Sequence, residues 1–135
     1  MGLFGLFGKK KVKSVMLVED DVPLRKFVAD RLLENGVDVI EVGDGGTVMN
    51  ILAQRMPDCI VLDVMLPNKN GMQILAEVRA ANIMVPIVVL TTLSGEGGLR
   101  LEAAKHNAIF LNKADTSLEI VVDTIMQSTL NEGSA

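Results

Sequence analysis

Five short runs rich in Val and Ile recur along this chain, and a segment with apolar residues at helical spacing follows each of them. The runs are SVMLVE (14–19), VDVIEV (37–42), DCIVLD (58–63), PIVVLT (86–91) and AIFLN (108–112). In the first intervening segment Leu24, Phe27, Val28, Leu32 and Leu33 are assigned to one face, and Arg25, Lys26, Asp30, Arg31 and Glu34 to the other. Comparable segments run over 46–55, 71–82, 96–106 and 116–130, the last helix proper spanning Ser117 to Leu130. Chain breakers fall at the joints: Asn35-Gly36, Gly43 to Gly46, Pro57-Asp58 and Gly95 to Gly98. Pro86 opens a strand, where its missing N–H does little harm. Strict strand–helix alternation with short connections predicts a single α/β domain, a parallel sheet covered by helices on both faces. No internal repeat, linker or second domain is visible.

Composition narrows the core. Apolar residues make up 49% of the 135 residues but aromatics only 3%, with no Trp and no Tyr. The core must be aliphatic, which suits a sheet buried on both sides. The net charge of -4 hides an asymmetry, because Lys9, Lys10, Lys11 and Lys13 lie in a tail without acids. The remainder holds nine basic and 17 acidic residues, a net of -8. That acidic body argues against nucleic acid as the main partner. The single cysteine, Cys59, can form no intramolecular disulfide and reads as a small core residue. No apolar stretch reaches the roughly 18 residues needed to span a bilayer, and the first eight residues lack the order of a secretory signal. A reducing, cytoplasmic compartment is expected.

The ends of the runs carry the chemistry. The first finishes in Glu19-Asp20, the third in Asp63, the fourth in Thr91, and the fifth runs into Lys113. In an open parallel sheet, ligands bind beyond the carboxyl ends of the strands. Right-handed crossovers can set the first, third, fourth and fifth strands side by side, so these groups would converge. A lone carboxylate at the edge of a core is costly unless paired, hydrated or metal-bound. Three carboxylates with one lysine suit a hard divalent cation such as Mg²⁺. Asp63 can act as a nucleophile that accepts a phosphoryl group, while Lys113 and the metal neutralise the transferring charge.

The stretches VEDD (18–21), LDVMLPNKNG (62–71), PIVVLTT (86–92) and FLNKA (110–114) together resemble the receiver domains of two-component response regulators. The likeness covers nearly everything from Ser14 to Leu130 and is close in size to the free-standing chemotaxis type. It implies a flavodoxin-like five-stranded parallel sheet of order 2-1-3-4-5 as one domain over 14–130, a flexible tail over 1–13 and a disordered end over 131–135. It also implies roles. Asp63 is the phosphoacceptor; Glu19 and Asp20 are the acidic pair, Asp20 binding the metal directly; Met65 gives a backbone carbonyl to it. Thr91 is the switch hydroxyl, Phe110 the aromatic that follows it inward, and Lys113 the lysine that pairs with the phosphoacceptor. The phosphoryl donor is a histidine kinase or histidine phosphotransfer protein, and the output is a protein target on the face of the fourth helix, fifth strand and fifth helix. Such a chain catalyses its own phosphorylation and slow dephosphorylation without being a conventional turnover enzyme. His106, near a helix end, marks no phosphate donor.

Several positions depart from that pattern. Ala114 follows Lys113 where the family has proline after a cis bond; a non-proline cis bond costs about 2.5–4 kcal/mol, so a trans bond and a displaced Lys113 or following loop come into play. HNAIF replaces the usual Gly-Ala, and Asn107 can take the left-handed turn. Thr92 stands in for alanine and narrows the entrance. Met65 and Leu93, each two residues past a key position, cannot orient an attacking water, so a slowly lost phosphoryl group is expected. Asp21 and Asp44 read as a helix-start acid and a turn residue. The alternative reading is a phosphorylation-independent scaffold, with Ala114 as its best support. A Mg²⁺-dependent phosphatase would need a second acid where Met65 stands. In the tail, Leu3, Phe4, Leu6 and Phe7 precede the lysines, an arrangement open to peripheral contact with an anionic membrane or polar localisation.

Overall fold

The computed structural model describes residues 12–93 and 96–130. The sheet has five parallel strands in the order β2-β1-β3-β4-β5: β1 (Ser14–Val18), β2 (Asp38–Val42), β3 (Cys59–Leu62), β4 (Ile87–Thr91) and β5 (Ala108–Asn112). Five helices connect or follow them: α1 (Val22–Glu34), α2 (Val48–Gln54), α3 (Gly71–Ala80), α4 (Leu99–Lys105) and α5 (Leu118–Leu130). This is the covered parallel sheet expected from the alternation, in the flavodoxin-like order that the family resemblance implies. Two helices are shorter than their periodicity suggests: Gly45–Thr47 form a tight 3₁₀ turn ahead of α2, and Gly97 and Gly98 take positive φ ahead of α4.

Both faces of the sheet are covered, so successive residues of one strand enter different cores. Met16, Val18, Ile60, Leu62, Ile87, Val89 and Phe110 pack under α2, α3 and α4. Val15, Leu17, Cys59, Val61, Val88 and Leu90 pack under α1 and α5 with Val28, Leu32, Val121 and Ile125. The packed core is aliphatic apart from Phe110, as the composition requires.

Local chemistry sets the helix starts. The Asp21 carboxylate accepts from the Leu24 N–H at 3.1 Å, and Pro23 sits in the first turn of α1. Asn70 and Gln73 form a reciprocal capping box at α3. Asp44 accepts from the Gly46 N–H at 2.7 Å. Asn107 adopts φ +57°, the left-handed turn that follows α4.

The face of α1 needs correction. Its buried residues are Val28, Ala29 and Leu32, whereas Phe27 and Leu33 are 43% and 52% exposed. Arg25 lies three, four and seven positions before the buried three, so it shares their stripe and not the solvent face. Its Nη1 donates to the Glu19 carbonyl at 2.7 Å and its Nε to Glu41 at 3.1 Å. Apolar spacing alone favoured the larger Phe27 and Leu33 over a small alanine and a charge.

Cys59 is fully buried, and desolvation pushes its thiol up to about 12. An unfolded thiol ionises near about 8.5, so the stability it contributes is complete below that pH and is lost as pH rises toward the folded value. The folded protein should therefore resist a thiol reagent at mildly alkaline pH and react fully only in denaturant. Rapid labelling of the native chain would contradict this burial.

Candidate functional site

Because β1, β3, β4 and β5 stand side by side, the residues at their carboxyl ends share one crevice. The hydrogen-bond ladder runs one residue past β1, β3 and β5 and fixes the backbone there. The Glu19 N–H donates to the Val42 carbonyl (2.9 Å), the Asp63 N–H to the Val18 carbonyl (3.1 Å) and the Lys113 N–H to the Thr91 carbonyl (2.8 Å). The functional groups are thus mounted on the sheet and not on free loops.

At the centre, Lys113 Nζ lies 2.6 Å from Glu19 Oε1 and 2.9 Å from Asp63 Oδ2. Glu19 and Asp63 are only 3% and 6% exposed. The second Glu19 oxygen accepts from the Asp21 N–H at 3.0 Å, and Asp63 Oδ1 from the Met65 N–H at 3.3 Å. Burial raises the Glu19 carboxyl above its usual range and the Asp63 charge adds to this, against the pull of Lys113 and the Asp21 amide. Burial alone would lower the Lys113 ammonium, but its bonds to Glu19 and Asp63 outweigh that and hold it above its ordinary value. Asp20 is exposed at the mouth.

Carboxylate oxygens of Glu19, Asp20 and Asp63 all lie within 4.8 Å of one another. Three formal negative charges against one ammonium leave an excess of two, and every donor is a hard oxygen. That set fits a divalent Mg²⁺ or a similar ion.

Thr91 is fully buried and its hydroxyl oxygen accepts from the Leu93 N–H at 3.3 Å, which leaves the hydroxyl proton for another acceptor. Phe110, 8% exposed, stands on the same sheet face two residues before the register partner of Thr91. The Arg100 guanidinium sits over its ring, 4.7 Å from the centroid. His106 caps the end of α4 and pairs with Glu102 at 3.3 Å, away from the crevice.

Of the two displacements considered for a trans Lys113–Ala114 bond, that of Lys113 itself does not occur. No described peptide bond is cis, yet Lys113 reaches both acids. A groove of about 680 Å³ opens beside Asp20, lined in part by Met65, Leu66, Met72 and Leu99.

Some residues that the sequence marked only as breakers or motif members have supporting roles that it did not reveal. A Cβ on Gly71 would lie 2.1 Å from the Asp63 carbonyl, so only glycine lets α3 start against the backbone of the central acid. A Cβ on Gly45 would lie 2.0 Å from the Lys69 carbonyl. Arg25 braces the end of β1, and Gly43 leaves room for its guanidinium, 2.9 Å from where a Cβ would sit. Asn68, at φ +68°, bonds Asp44 and so ties the β3–α3 loop to the turn after β2.

A buried acid–lysine crevice thus lies at the carboxyl edge of a parallel sheet of order 2-1-3-4-5. Residues 15–122 match the family model described as the response regulator receiver domain, and the chain belongs to that family of two-component signalling domains. It is 40% identical over 78 residues to the transcriptional regulatory protein CiaR of Streptococcus pneumoniae, a match covering 58% of this chain and 34% of that protein. It is 36% identical over 81 residues to the probable transcriptional regulator ycf27 of Guillardia theta, covering 60% of this chain and 32% of that one. The matched region thus spans about a third of these curated relatives. Among solved structures, the BeF3-activated N-terminal receiver domain of Klebsiella pneumoniae RstA superposes with a TM-score of 0.79 at 26% identity, covering 88% of this chain and 100% of that one.

Proposed function

We propose that this chain is a phosphorylation-controlled switch in which Asp63 takes a phosphoryl group from a histidine kinase or histidine phosphotransfer protein. The observation that carries the reading is the contact of Lys113 with both Asp63 and Glu19 beside exposed Asp20. An Asp63 carboxylate oxygen attacks phosphorus, the O–P bond forms as the N–P bond breaks, and the imidazole leaves with the electron pair and takes up a proton. Lys113 holds charge on the phosphoryl oxygens as it turns from the carboxylate to them. Glu19, Asp20, Asp63 and the Met65 carbonyl would hold a Mg²⁺ ion, which would supply neutralisation of the phosphoryl charge. Thr91 donates its hydroxyl proton to a phosphoryl oxygen, and Phe110, already turned inward, packs behind it.

The output is a shift in population toward a state whose α4–β5–α5 face binds a protein target. That face carries exposed Leu101, Ile109 and Ile120 and a groove of about 310 Å³ between β5 and α5. The acidic body favours protein over nucleic acid as this domain's partner. Beryllofluoride with Mg²⁺ should shift amide resonances at Thr91, Phe110 and along α4–β5–α5; changes confined to the acidic loop would oppose the switch.

The scaffold reading drew on Ala114 and loses that support, since Lys113 is in place. Residues 1–11, with most of the tail, and residues 131–135 lie outside the described residues. Among the described residues no helix is long and apolar enough to cross a membrane. Peripheral membrane contact through the tail of a cytoplasmic domain is part of the proposal, and equal co-sedimentation with anionic vesicles after deletion of residues 1–13 would exclude it.

Hydrolysis of the acyl phosphate needs a water aligned behind phosphorus. Met65, 59% exposed, and half-buried Leu93 flank that approach, and neither apolar side chain can orient a water there. The phosphorylated protein alone should decay over minutes or longer, and Met65→Asn should speed the decay. Loss within seconds would count against this arrangement.

A further inference from the structure

Lys113 lies beyond the end of β5, an edge strand with only β4 beside it. Its long side chain must cross the end of β4 to meet Asp63, so small changes in its backbone move the ammonium out of contact. The ladder supplies a single bond there, from the Lys113 N–H to Thr91. Two further bonds come from one neighbouring side chain. Asn112 Oδ1 accepts from the Ala114 N–H at 2.7 Å, and Asn112 Nδ2 donates to the Leu93 carbonyl at 3.3 Å. The first closes a turn around Lys113. The second fastens that turn to the loop after Thr91. An amide is the side chain suited to both, because one bond needs an acceptor and the other a donor on the same planar group.

Proline at position 114 would have no N–H to give. In this chain Ala114 has one, and Asn112 uses it. We propose that Asn112 is the positioning residue that sets Lys113 in the phosphoacceptor site and ties it to the loop after Thr91. The kinetic part of this inference rests on Asp63 being phosphorylated; the placement of Lys113 does not.

The test uses the full chain with Asn112→Ala, Asn112→Ser and Lys113→Ala, each checked for folding by circular dichroism. Competitive acetylation followed by mass spectrometry reads the accessibility of each lysine separately. Asn112→Ala should raise the labelling of Lys113 several-fold and leave Lys26 and Lys69 unchanged. Asn112→Ser, which keeps a smaller acceptor for the Ala114 amide, should fall between. Phosphorylation by acetyl phosphate should slow by about 10- to 100-fold in Asn112→Ala, the scale of a misplaced group. In a Lys113→Ala background the same change should have little further effect, since it acts through that lysine. Unchanged Lys113 labelling in folded Asn112→Ala, or an equal loss of rate with and without Lys113, would overturn the proposal. If Asn112→Ala does not fold, wild-type labelling of Lys113 in folded Asn112→Ser would do so. A wild-type chain that takes up no phosphate would defeat the phosphoacceptor reading, and the labelling result would still decide the role of Asn112.

Discussion

Lys113→Ala is expected to destabilise the metal-free protein by about 3 kcal/mol, because it leaves two buried carboxylates without their cation. Glu19 and Asp63 both contact this ammonium, and neither has comparable access to water. The sign of the pH dependence follows from Glu19, whose carboxyl already lies above its usual range. Without Lys113 that rise should grow. A carboxyl raised in the folded state favours folding at low pH and opposes it as pH climbs through the folded value. The penalty of the substitution should therefore shrink on acidification. It should also shrink with added Mg²⁺, since the excess negative charge of the cluster increases from two to three. Phosphorylation should fall by at least about 100-fold even with the metal bound, because in the proposed reaction Lys113 stabilises charge that develops in transfer. Urea titrations in EDTA and in Mg²⁺, at two pH values, read the stability arms. A variant as stable as wild type in EDTA would mean that the ion pairs contribute nothing.

Gly71→Ala should be nearly as damaging for a different reason. A Cβ there would sit 2.1 Å from the Asp63 carbonyl and 2.9 Å from the Val64 Cα, both backbone atoms with little freedom to move. Either α3 retreats, with its capping box and the 2.8 Å bond from the Gly71 N–H to the Val64 carbonyl, or the turn after Asp63 shifts. Overpacking of this kind costs about 3 kcal/mol. Since the displaced atoms belong to Asp63, the proposed phosphoacceptor, phosphorylation should fall along with stability. Gly36→Ala is the control: its site is open, and only the positive φ is strained. A Gly71→Ala protein melting with wild type would show that the contact relaxes freely.

Much of this architecture was legible in the sequence because two strong signals agree. The period changes between strands and helices at each Gly, Asn or Pro joint, and polar groups recur where apolar runs stop. Those signals located Glu19, Asp63, Thr91 and Lys113 before any geometry. Phe27 and Leu33 misled, because apolar character says nothing about which side of a stripe a helix turns to the sheet. Arg25 was misread for the complementary reason: its charge suggested solvent, yet its bond to the Glu19 carbonyl lies on the inner stripe. Gly71 looked like an ordinary helix start, since a forbidden Cβ contact with residue 63 exists only in three dimensions. Asn112 was silent too. Its two bonds span the Lys113 turn and a loop 19 positions earlier, and no local pattern announces such a bridge. The Ala114 departure was visible, but its compensation was not.

The central claim is that Asp63 accepts a phosphoryl group in a site completed by Lys113 and a divalent cation. Intact-mass and peptide mass spectrometry after incubation with acetyl phosphate tests it most directly, comparing wild type with Asp63→Asn, each with Mg²⁺ or EDTA. The account predicts one added phosphoryl group in wild type with Mg²⁺, mapped to Asp63, and none in the other three samples. An unmodified wild type, or equal modification of Asp63→Asn, would contradict it.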